Sequence, residues 1–162
     1  MIKNWSNTVL VAYSLLPKIA KELDYAVKTR VDSSFQGKHF KLGVGTEQLI
    51  SEIIELTEEK RKIANLRFIV TQALKKLDVI ERAYLIARVT HKYTYQRIAN
   101  ETSTTLRTAF RKVMLAEKHF AENLKKMGYG EEWLAKEYGS SHYIAPIYKR
   151  IMGEKYFTAK SL

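Results

Sequence analysis

Residues 94–116, TYQRIANETSTTLRTAFRKVMLA, constrain the fold most, because they read as a short helix, a polar turn and a second, longer helix. Thr94 is a candidate N-cap, and Ile98 and Ala99 take the inward positions of a helix that runs to about Glu101. Thr102, Ser103, Thr104 and Thr105 follow. Hydroxyl side chains compete for backbone hydrogen bonds in non-helical conformations, so four in a row suit a turn or an N-cap. From Leu106 the helical period returns: Ala109, Val113, Ala116, Phe120, Leu124 and Met127 recur at spacings of three and four and share one face. The opposite face carries Arg107, Arg111 and Lys118, with Lys112 beside them. An apolar back with cationic forks in front is what a DNA recognition helix needs. An ordinary amphipathic helix with a solvated basic face would show the same pattern.

The wider stretch from Leu77 to Leu124 resembles the fourth conserved region of sigma-70-type factors and the related phage late-gene regulators of the ArpU and RinA type. The residues that carry the resemblance are Leu77, the acidic-Arg pair Glu81 and Arg82, Thr94 with Tyr95, Ile98 with Ala99, Thr105, Thr108 with Ala109, and Ala116. Thr102 and Thr104 stand where that family usually has apolar residues, and the turn glycine is missing. The resemblance implies an all-α, multi-helix bundle containing a sigma region 4-like helix-turn-helix with a long recognition helix. It also implies promoter-type double-stranded DNA as a partner, and RNA polymerase as a second one if the chain is a complete small sigma-like factor.

Charge points the same way. Lys and Arg outnumber Asp and Glu by 15 to 5 over residues 61–127, against 8 to 8 before that segment and 5 to 4 after it. A cationic field concentrated on one segment attracts polyanions and speeds encounter with them, whereas charge serving only solubility would spread evenly. The expected base contacts are Arg107 and Arg111, which can each make two parallel hydrogen bonds to guanine, with Leu106, Phe110 and Thr108 beside them. Leu106 and Phe110 either meet thymine methyls or are buried against the first or last helices, which would rotate the readout toward Thr104 and Thr108. Lys92, Arg97, Thr104, Thr105, Lys112 and Lys118 are the expected phosphate contacts.

Three regions are expected: 1–77, 78–127 and 128–162. In the first, the apolar run Val9–Leu16 is too short to span a membrane and lacks a cleavage site, so it reads as a buried helix capped near Ser6 and kinked at Pro17, ending near Arg30. Val31 to Gly45 reads as a loop; Gly43-Val44-Gly45 is no phosphate loop, and Lys38, His39 and Lys41 make the loop basic. A long helix follows over 46–77. Its positions Leu49, Ile53, Leu56, Ile63, Val70, Leu74 and Leu77, broken by Lys60 and Arg67, form either a homodimer seam or a face packed within the chain. Asp78 caps a helix from Val79 to Val89, with Ile80, Tyr84, Leu85 and Ala87 or Arg88 inward. After Gly128 the chain reads as two helices, Glu131–Tyr138 and Ser141–Met152. Its aromatics Tyr129, Trp133, Tyr138, Tyr143, Tyr148, Tyr156 and Phe157 suit a core or a partner interface better than base stacking.

With no cysteine, disulfides and thiolate metal sites are excluded, which fits a reducing compartment. A bacterial or phage DNA-binding regulator, as the resemblance implies, would be cytoplasmic and associated with the nucleoid of a bacterial host. His39, His91, His119 and His142 form no ligand pair at helical spacing. Glu52, Glu55, Glu58 and Glu59 read as a solvated helix face, and no serine sits in a nucleophile context. Neither an enzyme nor a cofactor is expected.

Overall fold

A computed structural model describes residues 4–35 and 45–160, with the side chains of 34–35 and 154–160 excepted. Among the described residues it is all-α, with eight helices and no strand. They are α1 (Trp5–Tyr13), α2 (Leu16–Phe35), α3 (Thr46–Lys75), α4 (Val79–Val89), α5 (Tyr95–Glu101), α6 (Leu106–Lys126), α7 (Glu131–Tyr138) and α8 (Ala145–Lys160). Among the described residues no helix is long and apolar enough to cross a membrane.

The helices group into two compact units, one of Met1–Ser14 and Phe68–Leu162 and the other of Leu15–Arg67. In the first, α4 and α5 pack on α6, and α1 packs on α6, α7 and α8. Of the inward row expected for α6, Ala109, Val113, Ala116, Phe120 and Leu124 are all 0% exposed, and Met127 at its end is half-buried. Helix ends in this unit follow local chemistry. Asp78 accepts from the Ile80 amide at the head of α4, and Thr94 accepts from the Arg97 amide at the head of α5. Gly128, at φ +91, takes the left-handed position that ends α6. Tyr138 is fully buried, and Trp5 stacks on Tyr148 with centroids 4.1 Å apart, so these C-terminal aromatics are core. Glu131 closes the ring of contacts by accepting from the Trp5 and Ser6 amides at 2.7 and 2.9 Å, which satisfies donors at the start of α1.

In the second unit, Arg30 pairs with Glu52 at 2.8 Å and Lys60 pairs with Asp24, tying α2 to α3. On α3, Leu49 and Ile63 are buried and Ile53 and Leu56 are half-buried, while Ile50 and Ile54 are 52% and 62% exposed. The rest of the apolar row, Val70 and Leu74 with Leu77 just beyond the helix, falls in the first unit and is buried there.

Four expectations are corrected. The first helix is two helices. Asn4, not Ser6, caps α1 by accepting from the Asn7 amide at 2.9 Å, and Pro17 sits in the first turn of α2, where its missing N–H costs nothing. Next, α2 continues to Phe35 rather than ending near Arg30, so the first five residues of the expected loop are helical. Ile80 is 59% exposed, and Glu81 takes the inward place in the first turn of α4. Finally, α8 begins at Ala145, after a turn in which Ser141 Oγ accepts from the Tyr143 and Ile144 amides. Lys38, His39, Lys41 and the Gly43-Val44 pair, with the side chains of Tyr156 and Phe157, lie outside the described residues.

Candidate nucleic-acid interface

The candidate site is built on α6 and the turn that precedes it. Tyr84, Ile98, Ala99, Ala109 and Val113 form the small core that holds α4, α5 and α6 together, with Ala87, Tyr93 and Tyr95 packed around it. The turn closes through the Thr104 amide, which donates to Ala99 O at 2.9 Å. It needs a left-handed residue at Ser103, whose φ is +53. Thr102 Oγ1 donates to Ile98 O at 2.7 Å and lies 2.9 Å from Thr104 Oγ1. The two threonines that replace apolar residues of the resembled pattern thus satisfy the turn with hydroxyl bonds. Thr105 caps α6 by accepting from the Thr108 amide at 3.1 Å, and its hydroxyl donates to Thr108 Oγ1 at 2.8 Å.

Arg107 and Arg111 emerge on the side of α6 opposite the buried row, one turn apart. Both are exposed, and neither has a hydrogen-bond or ion-pair partner among the described residues. Leu106 and Phe110 are 51% and 43% exposed. They are not buried against the first or last helices. Phe110 is held by an edge-on contact with Tyr95 at 5.1 Å, and Arg88 lies over the other ring at 4.4 Å. An open groove of about 700 Å³ runs along Thr108, Phe110, Arg111, Lys112, Met114, Leu115 and Lys118.

The expected phosphate contacts divide. Lys118 is exposed on the same face as the two arginines. Lys92 is exposed in the α4–α5 connection at φ +55, another left-handed position. Arg97 is committed elsewhere: its guanidinium bonds Glu101 at 2.9 Å and stacks 3.6 Å from the Tyr93 ring centroid. The Glu101 hydrogen bond holds its pKa above the ordinary arginine value. Lys112 Nζ sits 5.1 Å over the Tyr84 ring. Burial raises the Tyr84 phenol, but hydrogen bonds with Thr102 and Thr104 and the Lys112 charge outweigh it and leave the group below the usual tyrosine range.

Three residues have positioning roles that the sequence reading did not assign to them. Arg82 donates to Leu74 O, Lys75 O and Leu77 O at 3.0 to 3.2 Å, fastening the start of α4 to the last turn of α3. Glu81 meets His119 Nδ1 at 2.6 Å, a cross-link between α4 and α6. Arg88 donates to Tyr93 O at 2.9 Å and sets the α4–α5 connection. A signal existed for Arg97, which stands four residues from Glu101 on one helix; nothing local announced the others. Among the described residues, no group of histidines or carboxylates is placed to hold a metal ion.

Compared with known proteins, the chain matches no family model, no curated protein and no solved structure.

Proposed function

We propose that the protein is a sequence-specific, duplex-DNA-binding transcription regulator whose α4–α5–α6 segment works as a helix-turn-helix resembling the promoter-reading region of a sigma factor. The observation that carries this reading is the unpartnered, outward pair Arg107 and Arg111 on a helix whose opposite face is wholly buried. A guanidinium with no internal partner keeps its full set of donors for an outside acceptor. A rigid back fixes where those donors point, which sequence readout requires. The excess of positive charge over residues 61–127 supplies the sequence-independent attraction. In this reading α6 enters the major groove by its first turns, and Lys92 and Lys118 hold phosphates on either side.

The test is binding of the full chain to duplexes selected from a genomic library and to random duplexes, across a salt series. Arg107→Ala is expected to cost on the order of 1–3 kcal/mol on the selected duplex and little on random ones. Lys92→Ala is expected to weaken both alike and to flatten the salt slope by about 0.9. Equal losses for Arg107→Ala on both duplexes reject the base-reading role. No duplex affinity even at low salt rejects the whole reading and leaves a protein-interaction scaffold.

A further inference from the structure

The exposed side chains of α6 from Leu106 to Lys118 have a one-sided chemistry. The polar ones are Arg107, Arg111, Lys112 and Lys118, with Thr108 half-buried among them. No carboxylate or carboxamide is exposed on this stretch: Glu117 is only 2% exposed, and Glu122 stands beyond it toward the far end of the helix. Guanidinium and ammonium groups donate hydrogen bonds and accept none. Thr108 is biased in the same sense, because the Thr105 hydroxyl donates into Thr108 Oγ1 and leaves the Thr108 proton for an outside acceptor. On the same stretch Leu106, Phe110 and Leu115 are each 43% to 51% exposed. The Tyr95 contact holds Phe110 in one orientation, so little freedom is lost when its ring meets a ligand.

In the major groove, guanine offers two acceptors, N7 and O6. Thymine offers one acceptor, O4, and a methyl group. The amines of cytosine and adenine are donors and need an acceptor from the protein. A surface so rich in donors, with apolar inserts, matches guanine and thymine most fully: adenine offers the N7 acceptor but sets an amine beside it, cytosine offers only an amine, and the one acceptor site left on this stretch is the remaining lone pair of Thr108 Oγ1.

We infer that α6 reads a site whose contacted edges are guanine and thymine, with Arg107 and Arg111 on guanines and Phe110 and Leu106 against thymine methyls. Its arginines and lysines draw no specificity from cytosine or adenine amines, since they have no acceptor to offer them. This rests on the duplex-DNA reading above and adds the base chemistry of the target.

The experiment selects duplexes from a random library with the full chain, then replaces single bases in the best one. Uracil for a contacted thymine removes only the methyl group. Its loss is expected to weaken binding about fourfold, which is ~0.8 kcal/mol for one buried carbon at 1.4 kcal/mol per tenfold. The loss should vanish in Phe110→Ala, or in Leu106→Ala, a change at an exposed position, if Phe110→Ala does not fold. Substituting 7-deazaguanine removes the N7 acceptor and is expected to weaken binding about tenfold, an effect absent in Arg107→Ala or Arg111→Ala. A selected site that depends on an adenine or cytosine amine, or one indifferent to both replacements, overturns the inference while leaving DNA binding intact. Duplex binding that yields no preferred site also overturns it. Failure to retain any duplex at low salt defeats the parent reading, so the two failures are told apart.

Discussion

Replacing Ser103 with glycine is expected to stabilise the protein, and the size of the effect follows from one backbone angle. Ser103 sits at φ +53 between α5 and α6. An L-residue pays roughly 1–2 kcal/mol in this region because Cβ crowds the following carbonyl oxygen. Its amide donates to Asn100 O at 3.3 Å, a bond glycine keeps, and its exposed hydroxyl has no partner among the described residues. Nothing made by the side chain is lost. Glycine brings back a greater unfolded-state entropy of roughly 0.5–1 kcal/mol, so the net gain is about 0.5–1 kcal/mol. For a chain of this size that raises the thermal midpoint by about 2 °C. Urea unfolding followed by far-ultraviolet circular dichroism reads the gain directly, as a shift in midpoint at constant slope. Ser103→Val is the companion variant, because a β-branched side chain is worst at this angle and must lose stability. The reasoning is refuted if glycine destabilises or if valine is neutral. Either result means that the turn does not hold residue 103 in the left-handed region.

Two further outcomes test the positioning residues. Arg82→Met removes three donors from the carbonyls of Leu74, Lys75 and Leu77, two of them in part-buried bonds, and is expected to cost about 1–3 kcal/mol in urea unfolding. Arg82→Lys should recover less than half of that, since an ammonium cannot span three acceptors; full recovery shows that charge alone matters. Glu101→Gln releases Arg97 from its ion pair, so non-specific duplex affinity should rise and its salt slope steepen by up to about 0.9. An unchanged slope places Arg97 away from the phosphates.

The parts of this fold that could be read from the sequence are those where one residue announces a chain direction. Asp78, Thr94 and Thr105 each cap a helix with a side-chain oxygen, and Gly128 ends one with a backbone angle, so α4, α5 and α6 begin and end where the sequence placed them. The outward pair on α6 was legible for a related reason. Ala109, Val113, Ala116, Phe120 and Leu124 define a buried side so completely that Arg107 and Arg111 have only the opposite side to occupy.

Where the sequence misled, two local preferences competed and a distant partner decided. Pro17 fits a kink in one helix or the first turn of a new one, and the packing of Val9, Leu10 and Leu16 is not visible in the local pattern that had to choose. Thr29 and Ser33 look like breakers, yet their hydroxyls donate back to Tyr25 O and Thr29 O at 2.8 Å and let α2 run on. Ile80 looked inward because it is apolar. It is Glu81 that turns in, because His119, 38 residues away, waits there to meet it. The same logic sorts the candidate interface. An arginine reaches outward only if no carboxylate lies a turn away, which holds for Arg107 and Arg111 and fails for Arg97. Reading the donors of α6 therefore begins with the acceptors its neighbours lack, and an acidic replacement among the exposed residues of its first turns, Arg111→Glu above all, should abolish duplex binding while leaving the buried side of the helix intact.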